Sequence, residues 1–121
     1  QGKVVGVQIG TTYMEAAQRI PGIKQVRTYQ KDPDALQDLL SGRLDAWITD
    51  RFVAKEAIKG RKLENTLQLG ELVFQERVAM AVAKGNRSVL QALNQAMADL
   101  MKDGTYAQIS RKWFGEDVRC K

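Results

Sequence analysis

Histidine is absent from the 121 residues and cysteine occurs once. The first absence removes Ser-His-Asp and Cys-His catalysis within the chain. One cysteine with no histidine cannot supply a zinc shell, so no metal or other cofactor is expected. Acid–base chemistry would fall to shifted carboxylates, to lysines or to Tyr13, Tyr29 and Tyr106, and no catalytic residue is assigned. Two prolines and one cysteine exclude a collagen-like repeat and a disulfide scaffold. No apolar run reaches the roughly eighteen residues of a membrane span. Gln1–Gly10 has a β-type pattern rather than a basic start followed by an apolar stretch, so no signal peptide is expected to open the chain. Low-complexity segments and internal repeats are lacking too.

What remains has the length and composition of a compact globular domain. The formal charge is +5, with the densest basic stretch at Arg51, Lys55, Lys59, Arg61 and Lys62 around Glu56. Aromatic residues do not alternate with these charges as a single-strand stacking platform requires. The stretch reads as a solvated helix face, and no nucleic-acid partner is expected.

Along the chain, Lys3–Ile9 is short, β-branched and bounded by glycines, which predicts a buried strand. Gly10-Thr11-Thr12 breaks it, and Tyr13–Ile20 reads as a helix ended by Pro21-Gly22. Val26–Tyr29 is a second strand. Asp32 as a cap and Pro33 at the first helical position open a second helix, with Ala35, Leu36, Leu39 and Leu40 as its apolar face and Ser41-Gly42 as its stop. Asp45–Asp50 reads as a third strand and Arg51–Ile58 as a third helix closed by Gly60. Leu67–Leu69, Leu72–Phe74 and Val78–Val82 read as further strands. Asn86 or Ser88 caps a long helix to Lys102, with Val89, Leu90, Leu93, Ala96, Met97, Leu100 and Met101 as a buried stripe. Thr105 caps a last helix through Trp113, closed by Gly115. Alternating strands and helices imply an α/β fold, a mixed and mostly parallel sheet flanked by helices.

In such sheets ligands sit outside the carboxyl ends of strands. Two ends carry chemical marks. Gly10 permits a tight turn, and Thr11 and Thr12 bring hydroxyl donors to a helix N-terminus, where backbone N–H groups and the helix dipole favour an anion. The same residues also suit an ordinary threonine cap. Asp50 could accept from a ligand ammonium or could cap the helix at Arg51. An anion cradle beside an anionic acceptor matches a zwitterion such as a free amino acid.

Three stretches carry a wider likeness: Gly2 through Thr12, Leu36 through Ala46 with Thr49-Asp50, and Lys102-Asp103-Gly104-Thr105-Tyr106 through Lys112-Trp113-Phe114-Gly115. In order and spacing they resemble the second lobe and C-terminal end of the polar amino-acid class of type II periplasmic solute-binding proteins, the receptors of ABC importers. The resemblance implies a two-lobed receptor. Residues 1–75 match its second lobe, residues 76–121 match the segment that returns to the first, and the first lobe is missing. By the same resemblance Thr12 holds the ligand α-carboxylate, Asp50 holds the α-ammonium, Thr11 and Gly10 shape the turn, and Gln8 and Tyr13 lie near the cleft rim. The implied partners are a free L-amino acid, a membrane permease and the missing lobe, in the periplasm or another extracytoplasmic setting.

Half a cleft limits affinity. About 4 kcal/mol gives millimolar binding and about 8 kcal/mol gives micromolar. One ammonium pair and a few carboxylate donors open to water reach the first figure at best, so the chain alone is expected to bind weakly or not at all. Apolar faces left by the missing lobe would fold back or exchange between two copies as a swapped homodimer. Rival readings are a dehydratase-type enzyme on the same scaffold, for which Asp50 is the candidate cleft carboxylate, and a sensor domain of a receptor. Cys120 is either an unpaired thiol, one half of a bridge to the missing lobe, or a link between chains.

Overall fold

The computed structural model describes residues 1–120. The elements run β1 (Val4–Gln8), α1 (Thr12–Arg19), β2 (Gln25–Tyr29), α2 (Asp32–Leu40), β3 (Ala46–Trp47), α3 (Arg51–Gly60), α4 (Arg87–Lys102) and α5 (Thr105–Phe114). They fall into two compact units, Gln1–Phe74 and the part from Gln75 onward.

The first unit is built on β1. It pairs with β2 in parallel from Val4 opposite Gln25 to Gln8 opposite Tyr29, and with β3 through Val5–Ala46 and Gly6–Trp47, also in parallel. The strand order is therefore β2-β1-β3, an α/β sheet with β1 in the centre. Central strands of parallel sheets are covered on both faces and read as apolar runs. Val5, Gly6 and Val7 are accordingly all buried. Val5 and Val7 face one way and form the core with Ala17 of α1, ringed by Tyr13, Met14, Ile23, Val26 and Ile48. Burying a valine side chain completely, as at Val7, contributes about 1.5–3 kcal/mol. Gly6 faces the other way, and a Cβ there would fall on Leu44 Cδ1 and within 3.1 Å of Tyr29 Cε2. The missing side chain is what lets Leu44, 4% exposed, cover the strand.

The edges are tied by polar groups. Asp38 of α2 accepts from the Tyr29 hydroxyl at 2.7 Å and from Arg43 at 2.9 Å. The Tyr29 bond and then the Arg43 bond and charge hold its carboxyl below the usual carboxylate range. At the other end of the strands, Asp45 accepts from Val4 N–H at 2.8 Å.

Several expectations change. The third strand is confined to Ala46–Trp47, because Thr49 is drawn into a side-chain bond and Asp50 into capping α3. Asp32 does not cap α2. Lys31 occupies the cap position without a side-chain bond, and the Asp32 carboxylate reaches β3 instead. The segments 67–69, 72–74 and 78–82 form no strand. A strand needs a ladder partner, and among the described residues these find none. Val78 stands 92% exposed. In the second unit α4 and α5 pack on each other, yet α4 contributes no buried residue. Leu93, Met97, Leu100 and Met101 are half-covered, while Val89, Leu90 and Ala96 are exposed. Asn86 holds the cap position of α4 without a side-chain bond, and the α5 cap is Gly104 in the left-handed region rather than Thr105. Ser110, buried on α5, donates to Glu116 O at 2.6 Å and accepts from Val118 N–H at 2.8 Å, which folds the tail back on that helix. Cys120 is exposed and unpaired.

Two outcomes follow from β1 and its edge. Gly6→Val overpacks the strand against Leu44 and should cost about 1–3 kcal/mol, read from the urea midpoint. Tyr29→Phe removes the principal bond on Asp38, so the Asp38 carboxyl resonance should titrate closer to the ordinary aspartate value. In the native protein this linkage stabilises the fold above the unfolded aspartate value, about 3.9, and is lost as pH falls through the depressed native one.

Candidate functional site

In a β2-β1-β3 sheet the chain leaves β1 toward one neighbour and later returns to its other side. The crevice at such a reversal lies outside the carboxyl ends of β1 and β3. The segments that follow those ends are Gly10-Thr11-Thr12 and Thr49-Asp50. Ile48 N–H donates to Gly6 O at 3.1 Å, which carries the pairing of β1 and β3 one residue past Trp47.

Gly10 has φ +72° and open space around it, so backbone conformation rather than crowding calls for glycine. Thr11 is the N-cap of α1. Its Oγ1 accepts from Met14 N–H at 3.3 Å and donates to Gln8 O at 2.7 Å. With its hydroxyl proton held by Gln8, Thr11 serves the turn rather than donating from its side chain to a ligand. Thr12 is the first residue of α1 and is exposed, at the helix end where the dipole favours negative charge. Gln8 closes β1. The Tyr13 ring packs at the edge of the core and meets the Phe74 ring at 5.8 Å between centroids, so its body is structural.

Asp50 caps α3: its Oδ1 accepts from Phe52 N–H at 2.9 Å and Val53 N–H at 3.1 Å. The cap uses one carboxylate oxygen, and the cap and ammonium-acceptor roles are compatible at this residue. Beyond it the basic face of α3 partly shields Phe52, with the Arg51 guanidinium 4.6 Å and Lys55 Nζ 5.8 Å from the ring centroid.

Two features escape sequence reasoning. One is a groove of about 460 Å³ along α1, whose walls include Thr12, Glu15, Arg19, Ile20, Val73 and Phe74. It reaches Thr12, and neither Thr11 nor Asp50 is among its walls. The other is Asp32, whose carboxylate accepts from Trp47 Nε1 at 3.0 Å and Thr49 Oγ1 at 3.1 Å. Its sequence context, Asp-Pro at a helix start, signals only a cap. Among the described residues no cluster of histidine, cysteine, aspartate or glutamate is placed to hold a metal.

A family profile described as bacterial extracellular solute-binding proteins, family 3, matches residues 1–116. The chain belongs to this family. It is 44% identical over 120 residues to the L-cystine-binding protein TcyJ of Escherichia coli K12, a match covering 98% of this chain and 44% of the relative. It is 33% identical over 123 residues to ABC transporter arginine-binding protein 1 of the same organism, covering 94% of this chain and 48% of the relative. Among solved structures, an ancestral arginine-binding protein bound to glutamine superposes with a TM-score of 0.81 at 38% identity, over 95% of this chain and 51% of that one. The chain thus spans about half the length of the relatives it matches. These relatives are binding proteins rather than enzymes, and the α/β unit has the form of one lobe of such a receptor.

Because Asp50 makes both cap bonds, Asp50→Ala should destabilise the chain by about 0.5–2 kcal/mol, while Asp50→Asn, which can still cap, should cost much less. Thermal or urea unfolding of the two variants side by side checks this.

Proposed function

We propose that the chain is part of an extracytoplasmic receptor that captures a polar L-amino acid for an ABC importer. In this reading the Gly10-Thr11-Thr12 turn takes the α-carboxylate, with Thr12 in contact, and Asp50 takes the α-ammonium. Residues 1–75 are the second lobe and residues 76–121 the segment that returns to a first lobe. The observation that carries the reading is the β2-β1-β3 order, which sets a neutral-capped helix start and an acid-capped one at adjacent strand ends in a chain of this family.

The remaining partners belong to the same reading. A membrane permease would receive the ligand from the loaded receptor in the periplasm. The first lobe would cover Val78, Met80 and the exposed side of α4, with exchange of residues 76–121 between two copies as the alternative cover. The named ligands of the relatives, L-cystine and arginine, set the first compounds to try.

An NMR titration of the chain with a panel of free L-amino acids should give dissociation constants in the millimolar range, about 4 kcal/mol of binding. Shifts should centre on Gly10, Thr11, Thr12 and Asp50. Thr11→Asp keeps a competent cap but places a negative charge at the carboxylate position. It should abolish the response, at a cost of about 1 kcal/mol in stability because a carboxylate cannot donate to Gln8 O. Shifts centred elsewhere, or undiminished in Thr11→Asp, would remove the assignment.

A further inference from the structure

Asp50 can hold an ammonium only if the short segment that carries it is fixed. The sheet does little of that fixing. β3 pairs with β1 at two positions, and beyond Trp47 a single backbone bond, from Ile48 N–H to Gly6 O, continues the ladder. Residues 49 and 50 stand outside it. On their far side Asp50 is tied to α3 by its own cap.

On the near side the tie is Asp32. It is half-buried at the start of α2, and its two oxygens divide between two donors on the segment. Oδ1 accepts from the Trp47 indole N–H at 3.0 Å and Oδ2 from the Thr49 hydroxyl at 3.1 Å. Bonds to an ionised acceptor are about twice as strong as neutral ones, and two donors on one planar carboxylate fix direction as well as distance. Asp32 is the first residue of α2, directly before Pro33, and no side-chain bond caps this helix, so both carboxylate oxygens serve the β3 segment.

We infer that Asp32 is the positioning residue of the amino-acid site: it anchors Trp47 and Thr49 so that the next residue, Asp50, is presented to a ligand ammonium. Asp32 does not touch the ligand. The inference rests on the amino-acid reading above and assigns a group to it outside the two marked strand ends.

The test uses the 121-residue chain with L-arginine and L-glutamine, each compared with its desamino analogue, which keeps the carboxylate and lacks the α-amino group. Asp32→Ala should weaken binding of both amino acids about tenfold, the lower end of what removing a group that orients a metal ligand costs at metal sites. It should leave the analogues unchanged, because their carboxylate binds at the Thr12 turn. Asp32→Asn, which still accepts from Trp47 but not from the Thr49 hydroxyl, should fall between. The Trp47 indole proton should exchange with solvent faster in Asp32→Ala, with the Val5, Val7 and Ala17 resonances in place to show an intact core.

Equal weakening of amino acids and analogues would mean a general structural role and overturn the inference. Unchanged amino-acid binding in Asp32→Ala would overturn it while leaving the amino-acid reading standing. Silence of the unsubstituted chain toward both amino acids, with its core resonances in place, would overturn the placing of the carboxylate and ammonium contacts on this chain, and the positioning role with it.

Discussion

The double-sided burial of β1 is the constraint from which the rest of the first unit follows. A five-residue strand can be the centre of a sheet only if both of its faces are covered. Val5 and Val7 serve the α1 face, and Gly6, by lacking a side chain, admits Leu44 and Tyr29 to the other. With β1 fixed in the middle, β2 and β3 must take opposite sides of it. That order is what brings the turn after β1 next to the turn after β3. The adjacency of the two turns is thus a consequence of the strand order that the core imposes.

Sequence reading succeeds where a single short-range pattern decides the outcome. Val4 through Gln8 has no polar interruption before its end and becomes the central strand, and Gly10, Gly104 and Gly115 stop or start helices with positive φ as their positions suggest. It fails where a segment depends on something distant. Val78–Val82 has the composition of a strand, but composition supplies no ladder partner, and Val78 remains almost wholly exposed. The periodicity of α4 is that of a packed helix, yet periodicity states only which face would be buried, not what covers it. Asp32 is the instructive case in the site. Asp before Pro at a helix start predicts a cap correctly in general, and here the carboxylate has better donors fifteen and seventeen residues away. No local pattern encodes Trp47 and Thr49 arriving at that point.

The half-length of the chain relative to its relatives bears on energetics as well as on coverage. Both marked turns are open to water, so each charge pair competes with hydration and with salt. Exposed pairs are worth about 0–1 kcal/mol, and they gain strength only when water is excluded. In the proposed receptor, the first lobe closing over the turns would supply that exclusion without altering any residue described here. The chemistry that selects a zwitterion and the affinity that retains it can therefore reside in different parts of one receptor.

The sign of each turn is set by its cap. An α-helix start carries about half a positive charge. Thr11 is neutral, so the start of α1 keeps that charge, opposed mainly by Glu15, which is exposed and screened by solvent. Asp50 is anionic, so its carboxylate opposes the positive end of α3, with the flanking Arg51 guanidinium over the Phe52 ring. Two backbone features of the same kind thus differ in the charge that their caps present. Placed at adjacent strand ends, they form a dipole that, under the proposed function, a bound amino acid would match, carboxylate to α1 and ammonium to α3. Capping and ligand recognition would then be one property of Asp50 seen from two sides. The anionic oxygen that stabilises the helix is also what gives that end of the crevice its charge.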